Sequence, residues 1–200
     1  MQPYTVSSEQ NVTSMRHREF YDASRAHYFN WLQARADAPA IANVENLSPD
    51  EAQALAKNQT LKNAARWGLI VFSAFTLETF INFYAEINKM QDRREKELKY
   101  GTKKKWRSYP NLVASKNIDA NALKCIEEIF DLRDILVHFK PVTGQNEINT
   151  FFSPQNGRAM LNKVHCAVRS LDDLKAPFKS TTWIGEDFED AVDWASDVTL

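Results

Sequence analysis

No proline interrupts this chain between Pro49 and Pro110, and the stretch opens on Ser48-Pro49-Asp50-Glu51. Those four residues make a capping box: the serine hydroxyl accepts from the third helical amide, the glutamate reaches back, and proline sits where no N–H is needed. The residues that follow, Trp67 to Tyr84, are apolar nearly all round, the mark of a helix enclosed by others. An unbroken helix from Pro49 to Met90 would be about 63 Å long, wider than a small domain, so a bend or break is expected near Lys57 to Thr60. Turn formers are scarce, with 5 Gly and 7 Pro in 200 residues, about half the usual share, and tight hairpins are disfavoured. The expected fold is all-α: an up-and-down bundle of four to five helices around a central apolar helix, with residues 1–200 forming a single domain.

The remaining helices read from spacing and stops. An N-terminal helix is expected over 13–38, with Phe20, Ala23, His27, Trp31 and Leu32 on its inner face and Pro39 ending it. Asp119 can cap a helix carrying Leu123, Ile126, Ile129, Phe130 and Val137, which Pro141 stops. The alternation Ile148, Thr150, Phe152 allows a short strand. Ser153-Pro154 then starts a last helix facing Leu161, Val164, Val168 and Leu171 inward. Cys125 and Cys166 lie inside apolar helical patterns without C-x-x-C spacing and read as reduced core residues. Phe72, Phe75, Phe80, Phe83 and Tyr84 read as core packing, and His165 as a core histidine.

The formal charge of −1 supplies no global attraction for nucleic acid or anionic membrane. Charge is instead local: Gln91 to Arg107 carries eight basic residues against three acids, and a tail over 180–200 holds six acids without a base. Gly101 is expected to divide a helix tail from a loop within the basic stretch. The start MQPYTVSSEQ lacks the layout of a secretory signal, and Glu78, Asn82 and Glu86 interrupt the apolar run Gly68 to Ile87. A cytoplasmic protein without a membrane partner is expected. None of the four histidines belongs to an H-E-x-x-H, and there is no phosphate-binding loop, dinucleotide fingerprint or G-x-S-x-G. No metal and no cofactor are expected.

One constellation stands out. Leu132-Arg133-Asp134-Ile135-Leu136-Val137-His138 places a guanidinium, a carboxylate and an imidazole just before Pro141. Asp134 and His138, four apart, share a helix face, whereas Arg133 and His138 diverge by about 140°. The three cannot converge without a second surface, from another helix or another subunit. A second Arg-to-His spacing, Arg158 to His165, lies mid-helix with no adjacent stop.

Arg133-Asp134 followed by Val137-His138 at a helix end, after a helix reading Phe75-Thr76-Leu77-Glu78-Thr79-Phe80-Ile81-Asn82, resembles the HEPN superfamily of helical domains. The resemblance covers about 64–174. It implies a metal-independent endoribonuclease acting as a homodimer, in a toxin–antitoxin or phage-defence system, with RNA as substrate and a cognate antitoxin or nucleotidyltransferase protein as partner. Other members of that superfamily only bind or scaffold, so a non-catalytic dimeric helical module binding a protein or nucleotide partner is the alternative it implies. Its catalytic residues fall on Arg133, Asp134 and His138.

The chemistry suits them. Histidine titrates near neutral pH and can take a 2′-hydroxyl proton, arginine can donate two hydrogen bonds to phosphate, and Asp134 can orient the imidazole. Glu78 and Asn82, costly on an apolar helix unless paired, are expected to support the site through Arg133. Lys103, Lys104, Lys105, Trp106 and Arg107 are the expected RNA contacts, the lysines and arginine on phosphate and the indole stacked on a base. Trp183, Phe188 and Trp194 give the acidic tail apolar anchors with which it is expected to dock on the bundle or on a dimer partner, either only covering core surface or folded over the basic stretch.

Overall fold

The computed structural model describes residues 8–39, 47–88, 100–138, 154–172 and 174. Five helices make up this part: α1 (Ser8–Ala36), α2 (Pro49–Ile87), α3 (Thr102–Ala114), α4 (Ala120–Val137) and α5 (Pro154–Asp172). No strand occurs among the described residues. The expected strand at 148–152, most of the basic stretch before Tyr100, and the acidic tail with its three aromatics lie outside them.

The capping box forms as the sequence dictates. Ser48 N donates to Glu51 at 2.8 Å, and the Glu51 amide donates to the Ser48 hydroxyl at 3.3 Å. The Ser48 hydroxyl, donating to the Glu51 carboxylate at 2.7 Å, and the Ser48 amide together hold the Glu51 carboxyl below its usual range. From there α2 runs 39 residues, about 58 Å, and no break interrupts it near Lys57 to Thr60. The reason lies in α1, which packs antiparallel along α2. Asn58 is buried and its side-chain amide donates to Ala34 O at 2.7 Å, so this polar turn closes the end of α1 instead of breaking α2.

α1 begins earlier than expected, and its buried stripe is His17, Tyr21, Ser24, Tyr28 and Trp31, one residue round from the face read through Phe20 and His27. A serine and a histidine interrupt that stripe in sequence. Ser24 satisfies its hydroxyl locally by donating to Tyr21 O at 2.7 Å, and His17 lies between Phe80 and Phe83, its ring centroid 5.2 Å from each. Phe20 and His27 flank the stripe, against Phe72 and Phe75.

Two glycines let α1 approach its neighbours. A Cβ on Gly68 of α2 would stand 2.4 Å from the His27 ring, and one on Gly157 of α5 would stand 2.6 Å from Trp31.

α3 is a helix where a loop was expected after Gly101, which is its N-cap, and Pro110 lies inside it. The proline removes one backbone hydrogen bond. Trp106, Tyr109 and Pro110 are buried, so packing of one face holds this helix. α4 starts on Asp119, whose carboxylate accepts from Asn121 N at 2.8 Å and Ala122 N at 3.2 Å. Leu161, Val164, Val168 and Leu171 of α5 are buried as expected. One core cluster draws on all five helices, and α2 touches each of the other four.

α2 is long and apolar enough to cross a membrane by length and composition, yet 61% of its most apolar stretch is buried by the other helices. That is the pattern of a core helix. It is not enclosed all round, however: Leu61, Trp67 and Phe75 remain exposed along one side. The core reading of Phe75 is therefore corrected, while Phe80, Phe83 and Tyr84 are buried. Cys125 is half-buried and Cys166 exposed, both as free thiols, so only Cys125 approaches the expected core position. Burial, with the Cys166 thiol beside it across α4 and α5, pushes the Cys125 thiol up.

Candidate active site

The last turn of α4 carries Arg133, Asp134 and His138. All three reach solvent: the Arg133 side chain keeps 29% of its surface and Asp134 43%, and His138 is exposed. His138 is the C-cap of the helix, with φ −99° and ψ 17°, and its backbone N–H donates to Asp134 O at 3.0 Å. The chain thus leaves the helix at His138.

Arg133 is held from two sides. Its Nη2 donates to Asp134 Oδ1 at 2.8 Å, and its guanidinium carbon lies 5.3 Å from the centre of the Phe130 ring one turn back. Nε is buried without a hydrogen bond among the described residues. This leaves the outer N–H groups of the fork as the ones able to meet an anion. Asp134 therefore clamps Arg133, and no hydrogen bond among the described residues joins it to the His138 ring, contrary to the expected orienting role.

The supporting pair is also placed differently. Asn82 accepts from Lys105 Nζ at 2.7 Å and so ties α2 to α3. Glu78 is half-buried on the open side of α2, and neither residue bonds Arg133 among the described residues. A carboxylate on an apolar helix was read as needing a buried partner; here solvent supplies its hydration.

The basic segment needs the largest correction. Trp106 is fully buried, stacked on Phe80 with ring centroids 6.3 Å apart, and its indole N–H donates to Leu77 O at 3.2 Å. It cannot stack a nucleobase, because it fills the core between α2 and α3. Lys103 is bonded to Asp131, and Arg107 is bonded to Glu127 through Nε at 3.1 Å and through Nη2. These two rungs, four residues apart on each helix, form an antiparallel charge ladder between α3 and α4. Lys104 is exposed, its ammonium 3.7 Å above the Tyr100 ring. An RNA phosphate would have to compete for Lys103 and Arg107 with carboxylates already in place. The ladder was missed because no signal in the segment marked 102–114 as a helix; spacing four between Lys103 and Arg107, matched by Glu127 and Asp131, was the clue.

A shallow depression of about 330 Å³ opens beside this ladder, lined by Tyr100, Arg107, Ser108, Asn111, Leu112 and Asn117. Among the described residues, no group of three or more His, Cys, Asp or Glu side chains is placed to hold a metal ion. No family model, curated protein or solved structure matches the chain.

Proposed function

We propose that the chain is a metal-independent endoribonuclease of HEPN type, acting in the cytoplasm within a toxin–antitoxin or phage-defence system. The observation that carries this reading is the placement of His138: exposed at a helix end, its imidazole taken up by no hydrogen bond among the described residues, five residues after an arginine that is held by Asp134. His138 accepts the proton of an RNA 2′-hydroxyl as that oxygen attacks the adjacent phosphorus. The outer N–H groups of Arg133, brought to the same phosphate by the homodimer that the divergence of about 140° between Arg133 and His138 calls for, stabilise the charge on the phosphate oxygens, and the 5′-oxygen leaves with a proton from solvent or from a second imidazole. The products are a 2′,3′-cyclic phosphate and a free 5′-hydroxyl. The role left to Asp134 is to fix the guanidinium plane. A cognate antitoxin or nucleotidyltransferase protein is the partner this system calls for.

A second reading, a non-catalytic helical module that binds a protein or nucleotide, draws on different observations. Lys103, Lys105 and Arg107 are spent on internal contacts, and α2 leaves an apolar side open. Cleavage of RNA by the purified chain in EDTA separates the two. His138→Ala is expected to lower the rate by about 10² to 10⁴ without shifting the melting temperature, and Arg133→Lys to be damaging because a point charge does not replace a planar fork. Undiminished cleavage by both variants refutes the site, and an inert wild-type chain favours the binding module.

A further inference from the structure

Two thiols meet across α4 and α5. Cys125 and Cys166 lie on helices that pack directly against each other. Three residues on from Cys125 along α4 stands Glu128, and three residues back from Cys166 along α5 stands Lys163, whose ammonium is 2.6 Å from the Glu128 carboxylate. An equal step forward on one helix and back on its antiparallel neighbour stays on the same flank, so the cysteines form the next rung, one turn from the ion pair. The Cys166 thiol is accordingly a hydrogen-bonding neighbour of Cys125. Small residues bring the backbones close enough for two short side chains to meet: Ala122, one turn before Cys125, and Ala167, directly after Cys166, are fully buried. Where helix axes approach to about 8 Å, facing Cα atoms come within about 4–7 Å of each other, the span that a disulfide bridges.

The two thiols are not equivalent. Cys166 is exposed and Cys125 half-buried, and burial followed by the neighbouring Cys166 pushes the Cys125 thiol up. Thiols react as thiolates, so Cys125 is the slower of the two with an oxidant arriving from solvent, and it stands behind an accessible partner. That is the arrangement of a sulfur that is oxidised first and a second that resolves it. With hydrogen peroxide as oxidant, the Cys166 thiolate attacks one oxygen, the O–O bond breaks, and hydroxide leaves and is protonated to water. The sulfur, oxidised by two electrons, is then a sulfenic acid. Cys125, its proton given to solvent, attacks that sulfur, the S–O bond breaks, and the departing hydroxide takes up a proton as a second water. Two thiols and one peroxide thus give one disulfide and two waters.

We propose that Cys125 and Cys166 are a redox pair whose reversible disulfide, made by peroxide and opened by thiols, staples α4 to α5. The staple closes a loop of about 40 residues, which removes conformations from the unfolded chain and so stabilises the fold. It fixes the helix whose last turn carries Arg133, Asp134 and His138, but the proposal does not rest on RNA cleavage: an inert chain would oxidise in the same way.

In the test, the full chain is reduced, freed of reductant, treated with hydrogen peroxide, alkylated with N-ethylmaleimide in denaturant and measured by mass spectrometry. The wild type is expected to lose about 2 Da, to take up no maleimide and to yield a peptide joining Cys125 to Cys166, all reversed by dithiothreitol. Its melting temperature is expected to rise by about 5–15 °C on oxidation and to return on reduction. Cys125→Ser is expected to stop at a sulfenic acid on Cys166 that dimedone traps, and Cys166→Ser to react about 10-fold more slowly than wild type. A wild-type chain that keeps both thiols in excess peroxide overturns the proposal, as does one in which Cys125 still takes maleimide after Cys166 is oxidised. So does a cross-link found only between two chains on a non-reducing gel, or a disulfide that lowers the melting temperature, since the native rung would then have to be distorted to close it. The wild-type mass and the exposed Cys166→Ser decide the matter if Cys125→Ser does not fold.

Discussion

Lowering the pH from 7 to 5 should cost this protein about 2 kcal/mol through one side chain, His17. The ring is 3% exposed, wedged between Phe80 and Phe83, and burial lowers its pKa from 6.5 to about 4. Above pH 6.5 the imidazole is neutral in both folded and unfolded chains, and the contribution to stability is fully present. As the pH falls below 6.5 the unfolded chain takes up a proton while the folded one does not, so stability is lost progressively until the folded ring itself titrates near pH 4. One pKa unit corresponds to about 1.4 kcal/mol, which gives about 3.4 kcal/mol over the whole span and about 2 of it by pH 5. For a chain of this size that is a fall of roughly 4–8 °C in melting temperature. Burial also lowers His27 and His165, so the comparison is with variants rather than with pH alone. Urea unfolding of wild type, His17→Phe and His17→Leu at pH 7 and pH 5 isolates the difference: both variants, whatever their stability at pH 7, should lose about 2 kcal/mol less than wild type. Equal losses in all three proteins would refute the argument.

Two other perturbations follow from local geometry. Ser48→Ala removes the acceptor of the Glu51 amide and one of the donors to its carboxylate, and should destabilise by about 1 kcal/mol in urea unfolding; an unchanged midpoint would mean that the first turn of α2 contributes nothing. Gly157→Ala gains about 1 kcal/mol of helix propensity but drives a methyl into the buried Trp31 and Tyr28 rings, at a cost of about 1–3 kcal/mol. A net loss is expected in the same assay, and a stabilised variant would show that these rings have room to move.

The sequence was most readable where the chain signals locally. The box at Ser48, the cap at Asp119, the start at Pro154 and the inward stripe of α5 all follow from residues within a few positions of one another, and the all-α bundle follows from them. It was least readable where distant residues decide. Asn58 and Ser24 look like breaks in apolar patterns until the carbonyls they meet are known; on α1 the expected Trp31 and Leu32 are buried, whereas Phe20, Ala23 and His27 stand half-buried beside the stripe. Trp106 among lysines and an arginine looks like a solvent-facing aromatic; only the packing of α3 on Phe80 and Leu77 shows that its charged neighbours share a helix with a buried face. The position of Arg133, Asp134 and His138 at a helix end was legible, because Pro141 limits the helix. Which of them bond one another was not, since a pair one residue apart and a pair four apart are both within reach of a carboxylate.

The two glycine notches also bear on how the chain finds its fold. Long antiparallel helices with similar apolar faces can settle one turn out of alignment, trapping a chain that has buried nearly as much surface as the correct pair. Here the rings of His27 and Trp31, one turn apart on α1, fit against Gly68 on α2 and Gly157 on α5. A slide of one turn, about 5.4 Å, would carry both rings onto residues with side chains, and the two clashes would arise on different helices at once. The glycines thus work as a key and its wards: slipped pairings are turned away early, and α5 closes only on a hairpin that is already aligned.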